Sequence, residues 1–214
     1  MTTDSPTDIR DLFGLHPSSP KLAEYISTLV SLTGAATAPT LEVKSYPDAV
    51  YFNHFTLGLS ILFIPVGGYK PKSGLKRDEL KDDGLVLDSI DVYNVPPTPD
   101  LNAKPSAILA YSKYPALPLI LTLDPGTVAD KPRAERLDIN RMTTGKDFVG
   151  AVGEPDRKGG GAGPSSGSIG IWCEWAKDGI MVEFGGDEAR GPQAWERGKD
   201  AVWKVITIFR PKDM

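Results

Sequence analysis

The sequence holds a single cysteine, Cys173, and only two histidines, His16 and His54. One thiol excludes an intrachain disulfide and any zinc site built on several thiolates. The two histidines stand in no His-Glu-x-x-His or comparably dense ligand spacing, so no metal or cofactor motif is read and none is expected. No apolar run approaches the roughly 20 residues needed to span a bilayer. The N-terminus, Met-Thr-Thr-Asp-Ser-Pro, lacks the basic and apolar segments of a secretory signal. Positive charge is also in short supply, with 24 Lys and Arg against 28 Asp and Glu and a net charge of -4. That balance argues against nucleic-acid binding by bulk attraction to phosphates and leaves only a local basic patch for it. These absences predict a reducing, cytoplasmic setting.

What is present is a duplicated script. A short amphipathic helix closed by glycine, an aromatic-rich strand, a strand opening on glycine and ending in phenylalanine, and an alternating apolar strand follow one another twice. The clearest line is Tyr51-Phe52-Asn53-His54-Phe55-Thr56-Leu57-Gly58-Leu59-Ser60-Ile61-Leu62-Phe63. It is answered by Trp172 to Phe184, with Gly179 in the place of Gly58. Internal repeats of this kind set the architecture before any local motif is weighed.

In the first copy, Ser19-Pro20 supplies a cap and a proline at the first helical position, and Leu22, Tyr25, Ile26, Leu29 and Val30 form one helical face ended by Gly34. Residues 49–55 and 57–64 then read as an antiparallel hairpin turning at Gly58. The charged, Gly/Pro-rich stretch 65–84 reads as an exposed insertion. Over 85–95, Val86, Asp88, Ile90, Val92 and Asn94 interleave with Leu87, Ser89, Asp91 and Tyr93 as a two-faced strand. The second copy opens on Thr144 and Asp147 as cap and first-turn carboxylate, runs through Phe148, Val149 and Val152, and stops at Gly153. A flexible Gly/Ser/Pro loop over 156–167 and strands near 168–176, 179–185 and 201–209 complete it.

The expected fold is therefore α+β: two tandem helix-strand-strand-strand repeats with antiparallel sheets, a helix packed on one face of each. The expected divisions are a flexible lead-in at 1–18, the first repeat at 19–95, a proline-rich connection with one edge strand at 96–143, and the second repeat at 144–211.

Chemistry is sparsely written. His54 sits among aromatic residues within a strand, and Cys173 lies between Trp172 and Glu174, where a free thiol behaves as a small buried hydrophobe. Gly159-Gly160-Gly161-Ala162-Gly163 lacks the strand-to-helix context of a phosphate cradle. All four tryptophans fall in the second copy, and Trp172, Trp175 and Trp195 are candidate interaction residues. Lysines and acids nearly cancel over 70–83, so attraction to anionic lipid is weak.

The line Tyr51-Phe52-x-x-Phe55-Thr56-Leu57-Gly58-Leu59-x-Ile61-Leu62-Phe63, with Ser89-Ile90-Asp91-Val92-Tyr93 and Phe148-Val149-Gly150-Ala151-Val152-Gly153-Glu154-Pro155 after it, resembles the phagosome assembly factor 1 family, shortened to two repeat units. The resemblance implies a non-enzymatic adaptor that meets autophagy or membrane-trafficking proteins and is recruited peripherally to autophagic membranes. It also gives the strand pair Tyr51, Phe52, Phe55, Thr56, Leu57, Gly58, Leu59 and Phe63 a structural or interaction role. The repeat unit is similar, too, to those of beta-lactamase inhibitory proteins and small outer-membrane assembly lipoproteins, which the missing signal and disulfides argue against. A reading from a different class is a small-molecule-binding protein or hydrolase with a cleft between the repeats that uses His54 and Cys173.

Overall fold

The computed structural model describes residues 8–34, 40–95, 111–128, 131–161 and 170–211. The molecule is mixed α+β, dominated by antiparallel sheet with few helices. It divides into a continuous unit, Leu12–Ala116, and a split unit made of Met1–Asp11 together with Leu117–Met214.

In the continuous unit, helix α1 covers Pro20–Thr33. Proline stands at its first turn, where a missing N–H costs nothing. Ser19 makes no side-chain capping bond, against the sequence expectation, so the helix start rests on the proline alone. Gly34 ends the helix in the left-handed conformation, φ 64°, and donates its N–H to the Ser31 carbonyl. Leu22 and Leu29 are buried, while Tyr25, Ile26 and Val30 are partly covered.

Strands β1 (Glu42–Ser45), β2 (Val50–His54), β3 (Leu59–Pro65) and β4 (Leu85–Tyr93) follow as an antiparallel meander. The 3-10 turn Phe55–Leu57 joins β2 to β3 and closes on Gly58 at φ 58°. A Cβ on Gly58 would stand 2.3 Å from the Ser112 carbonyl oxygen, so both backbone angle and space demand glycine.

The β3–β4 ladder contains a bulge: Leu62 pairs with Ser89 but Phe63 with Leu87, leaving Asp88 as an extra residue on β4. The strand's alternation therefore changes phase in mid-course, with Leu85 and Leu87 buried before it and Ile90 and Val92 after it. A strict two-residue period across 85–95, as read from the sequence, puts Leu87 on the wrong side of Ile90.

Residues 8–18 are not a loose lead-in where they are described. A 3-10 turn covers Ile9–Leu12 and buries both of its end residues. Gly14 donates to the Leu87 carbonyl, Leu87 donates to Leu15, and His16 Nδ1 lies 2.7 Å from the Leu85 carbonyl. The 65–84 insertion is largely exposed yet held in place. Ser45 Oγ accepts the Leu75 N–H at 2.6 Å, and Arg77 grips Asp82 with two bonds of 2.7 and 2.6 Å while lying over the Phe52 ring.

The split unit has more strands than the single edge strand expected before residue 143. After a cis Leu117–Pro118 bond, β5 (Leu119–Thr122) pairs with β8 (Arg136–Ile139), and β6 (Thr127–Val128) pairs with β7 (Lys131–Pro132). Helix α2 spans Gly145–Val152. The Asp147 carboxylate accepts bonds from Thr144 N–H and Oγ1 at 2.8 and 2.7 Å, which hold it below the usual carboxylate range and anchor the helix start.

Strands β9 (Arg157–Gly159), β10 (Trp172–Trp175), β11 (Ile180–Phe184) and β12 (Trp203–Phe209) form an antiparallel meander, with the one-turn helix α3 (Ala194–Arg197) before β12. Strand β9 lies where the sequence reads as flexible loop; it pairs with β10 through Arg157, Lys158 and Gly159. The turn Ala176–Asp178 closes on Gly179 at φ 62°, where a Cβ would meet the Phe209 carbonyl oxygen at 2.1 Å.

Residues 8–11 join this unit from far upstream. Arg10 donates to the carbonyls of Thr122 and, at 2.5 Å, Asp178. Arg133 forms a buried ion pair with the Asp178 carboxylate.

Candidate functional site

Within the split unit, α2 lies over one face of β10 and β11 without filling the space beneath it. A cavity of about 400 Å³ remains. Its floor is apolar and buried: Ile171, Cys173 and Trp175 from β10 and the residue before it, and Phe184 from β11. The two-residue strand period puts Ile171, Cys173 and Trp175 on this face, and sends Trp172 and Glu174 to the other. Helix α2 contributes Gly145, Lys146, Val149 and Gly150, one face at spacings of one, four and five residues.

The rim is charged. Lys146, Lys158 and Lys199 line the opening with a single carboxylate, Glu154. Lys146 reaches Asp200 at 3.4 Å in an exposed pair, and Lys158 Nζ lies 5.7 Å from the centre of the Trp195 ring. Trp195 is 43% exposed, one of four large apolar side chains so displayed among the described residues. Burial pushes the Cys173 thiol up to about 11, with Lys158 pulling the other way. At neutral pH this is a protonated, weakly nucleophilic group.

The expected interaction tryptophans are thus placed differently from one another. Trp195 is exposed at the rim, whereas Trp175 is buried in the floor with its indole N–H donated to the Gly153 carbonyl at 2.8 Å. Trp172 lies on the far face of β10, where its ring covers Gly159: a Cβ there would come within 2.8 Å of the indole. Gly160 and Gly161 likewise abut the backbone of Gly170 and the side chain of Ile171, which makes this run a packing feature; Ala162 and Gly163 lie outside the described residues.

In the continuous unit the signature strand pair is mostly core. Phe52, Leu57, Leu59 and Phe63 are buried, Gly58 makes the turn, Tyr51 and Phe55 are half-buried, and only Thr56 is exposed. Phe52 and Phe63 rings pack 4.9 Å apart. On the opposite face, Asn53 Oδ1 accepts bonds from Ser60 Oγ and Tyr111 Oη at 2.8 and 2.9 Å, and Tyr111 stacks on Tyr93. His54 is buried, its Nδ1 has no hydrogen-bond partner in the structure, and burial lowers it to about 4. Each member of the suggested His54 and Cys173 pair is therefore held in its neutral form.

What sequence reasoning missed is the lysine and glycine frame of the cavity. Gly145, Lys146, Gly150, Lys158, Gly198 and Lys199 come from three separate segments, and no spacing in the chain links them. Among the described residues, no cluster of three or more His, Cys, Asp or Glu is placed to hold a metal ion, and no helix is long and apolar enough to cross a membrane. Comparison with protein-family models, with curated proteins and with solved structures gave no match.

Proposed function

We propose that the chain is a non-enzymatic protein-interaction module, and that its recognition surface is the α2 cavity with Trp195 at the rim. The observation that carries this reading is the combination of a buried apolar floor with an exposed tryptophan and a ring of lysines. Exposed aromatics beside a desolvated pocket are where binding energy concentrates. By the resemblance of Tyr51 to Phe63, the partners are autophagy or membrane-trafficking proteins met in the cytoplasm, with recruitment to autophagic membranes through them.

The proposal includes a duplicated architecture, and matched details support it. Gly58 and Gly179 have nearly the same backbone angles, each follows a 3-10 turn, and each accepts a strand N–H at 2.9 Å, from Tyr93 and Phe209 respectively. Five residues beyond each glycine, at Phe63 and Phe184, the next ladder is bulged.

The test is capture from native lysate on immobilised full-length chain, wild type beside Trp195→Ala. Recovery of trafficking proteins that is lost in the variant supports the module; recovery of none, or recovery indifferent to Trp195, counts against it. A second reading, a small-molecule-binding protein, is favoured by the cavity volume, which falls in the range of about 300–1,000 Å³ usual for ligand pockets. Its hydrolase form draws no support from His54 or Cys173, since neither is poised as a base or a thiolate.

A further inference from the structure

Gly150 is the residue that the fold does not explain. It lies inside an eight-residue helix, where glycine costs about 1 kcal/mol relative to alanine. Nothing lies within 4 Å of the point a Cβ would occupy, and its backbone is not left-handed. Neither sterics nor conformation requires glycine here. Gly150 is exposed and lines the cavity, so a large side chain there would stand beside its opening. The helix gives up stability and the opening stays clear.

The charge around that opening is one-sided. Three lysines face one glutamate in the lining, on a chain whose net charge is -4. Lys146 pairs with Asp200, and Lys158 and Lys199 stand beside the buried apolar floor of Ile171, Cys173, Trp175 and Phe184. Such a site complements a ligand that is apolar at its tip and anionic at its shoulders. Lys158 belongs to β9, the strand that ends this unit's sheet, so an extended chain can run past the rim along that edge.

We infer that the cavity takes a bulky apolar side chain from an acidic peptide segment, the lysines pairing with carboxylates on either side of it. The inference rests on the protein-interaction reading and supplies its partner chemistry. Gly150 admits the side chain, Trp175 and Phe184 receive it, and Lys158 and Lys199 select for negative charge.

The experiment titrates isotope-labelled full-length protein with acetyl-Asp-Glu-Phe-Glu-Asp-amide and follows amide and indole resonances. Saturable shifts at Gly150, Lys158, Cys173 and the Trp195 indole are expected. The Asn/Gln counterpart of the peptide should bind about tenfold more weakly, and the peptide with alanine for phenylalanine should not bind measurably. Gly150→Phe should abolish the shifts, and Gly150→Ala, which should melt at or above the wild-type temperature, should weaken them. If Gly150→Phe fails to fold, the double reversal Lys158→Glu with Lys199→Glu replaces it and should weaken binding at least as much as neutralising the peptide. Equal binding of the neutral peptide, unaltered binding by Gly150→Phe, or shifts produced by dodecanoate and not by the peptide would each overturn the inference. Lysate capture that still depends on Trp195 while the peptide fails would retain the interaction module and remove this occupant.

Discussion

At the scale of single residues, two neutral groups give the sharpest expectations. The imidazole of His54 protonates near 6.5 in an unfolded chain and near 4 in the folded one, because burial penalises the charged form. Between these values the unfolded state holds more protons, so stability is full above about pH 6.5 and drains away as pH falls towards 4. The loss is on the order of 3 kcal/mol. Urea unfolding at pH 7, 5.5 and 4 should show it, and His54→Phe should flatten that part of the profile. Equal slopes in both proteins would refute the assignment. Cys173 offers a kinetic counterpart. With its thiol raised to about 11, iodoacetamide labelling at pH 8 should run about 100-fold slower than for a free cysteine, and should keep accelerating beyond pH 9. Labelling as fast as glutathione would show an ionised, accessible sulfur instead.

At the scale of elements, the left-handed glycines matter most. Gly58→Ala and Gly179→Ala each put a methyl group against a carbonyl oxygen, at 2.3 and 2.1 Å, in a backbone region that already disfavours alanine. Each should cost about 3 kcal/mol or more by thermal or urea unfolding, whereas Gly34→Ala, with open space around it, should cost only about 1 kcal/mol. Losses of equal size at all three would mean that backbone angle alone decides. Gly58 and Gly179 were legible from the sequence, because each stands between an aromatic strand and an aliphatic one. Helix α1 and strands β2 and β3 were legible for the same kind of reason, a clean period over enough residues. The bulge at Asp88 was not: one extra residue shifts the phase of alternation without altering composition. Nor was β9, since Arg-Lys-Gly has little strand preference and is ordered by the backbone of β10. Of the candidate site, Trp195 and the buried Cys173 could be singled out in advance. Its lysines and Gly150 could not, because convergence of separate segments leaves no trace in spacing.

At the scale of the whole molecule, the split unit depends on residues that precede the continuous one. Arg10 and Arg133 both donate to Asp178, whose side chain is 7% exposed. Asp178→Ala would leave a buried guanidinium without its counter-charge and should destabilise the protein by about 3–5 kcal/mol in urea. Replacing residues 8–11 with a Gly/Ser stretch should also loosen the split unit, seen as increased amide exchange along β5 and at Asp178. Unchanged protection there would show that the upstream segment is dispensable.

That arrangement also sets an order in time. On the ribosome, residues 8–11 emerge well before the Thr122 and Asp178 carbonyls that Arg10 will bind. The continuous unit, Leu12–Ala116, can be completed while they wait. Arg10 then acts as a late clasp, fastened only once synthesis has passed residue 178, and a chain stalled short of that point carries Arg10 without the Asp178 carbonyl it binds in the folded unit.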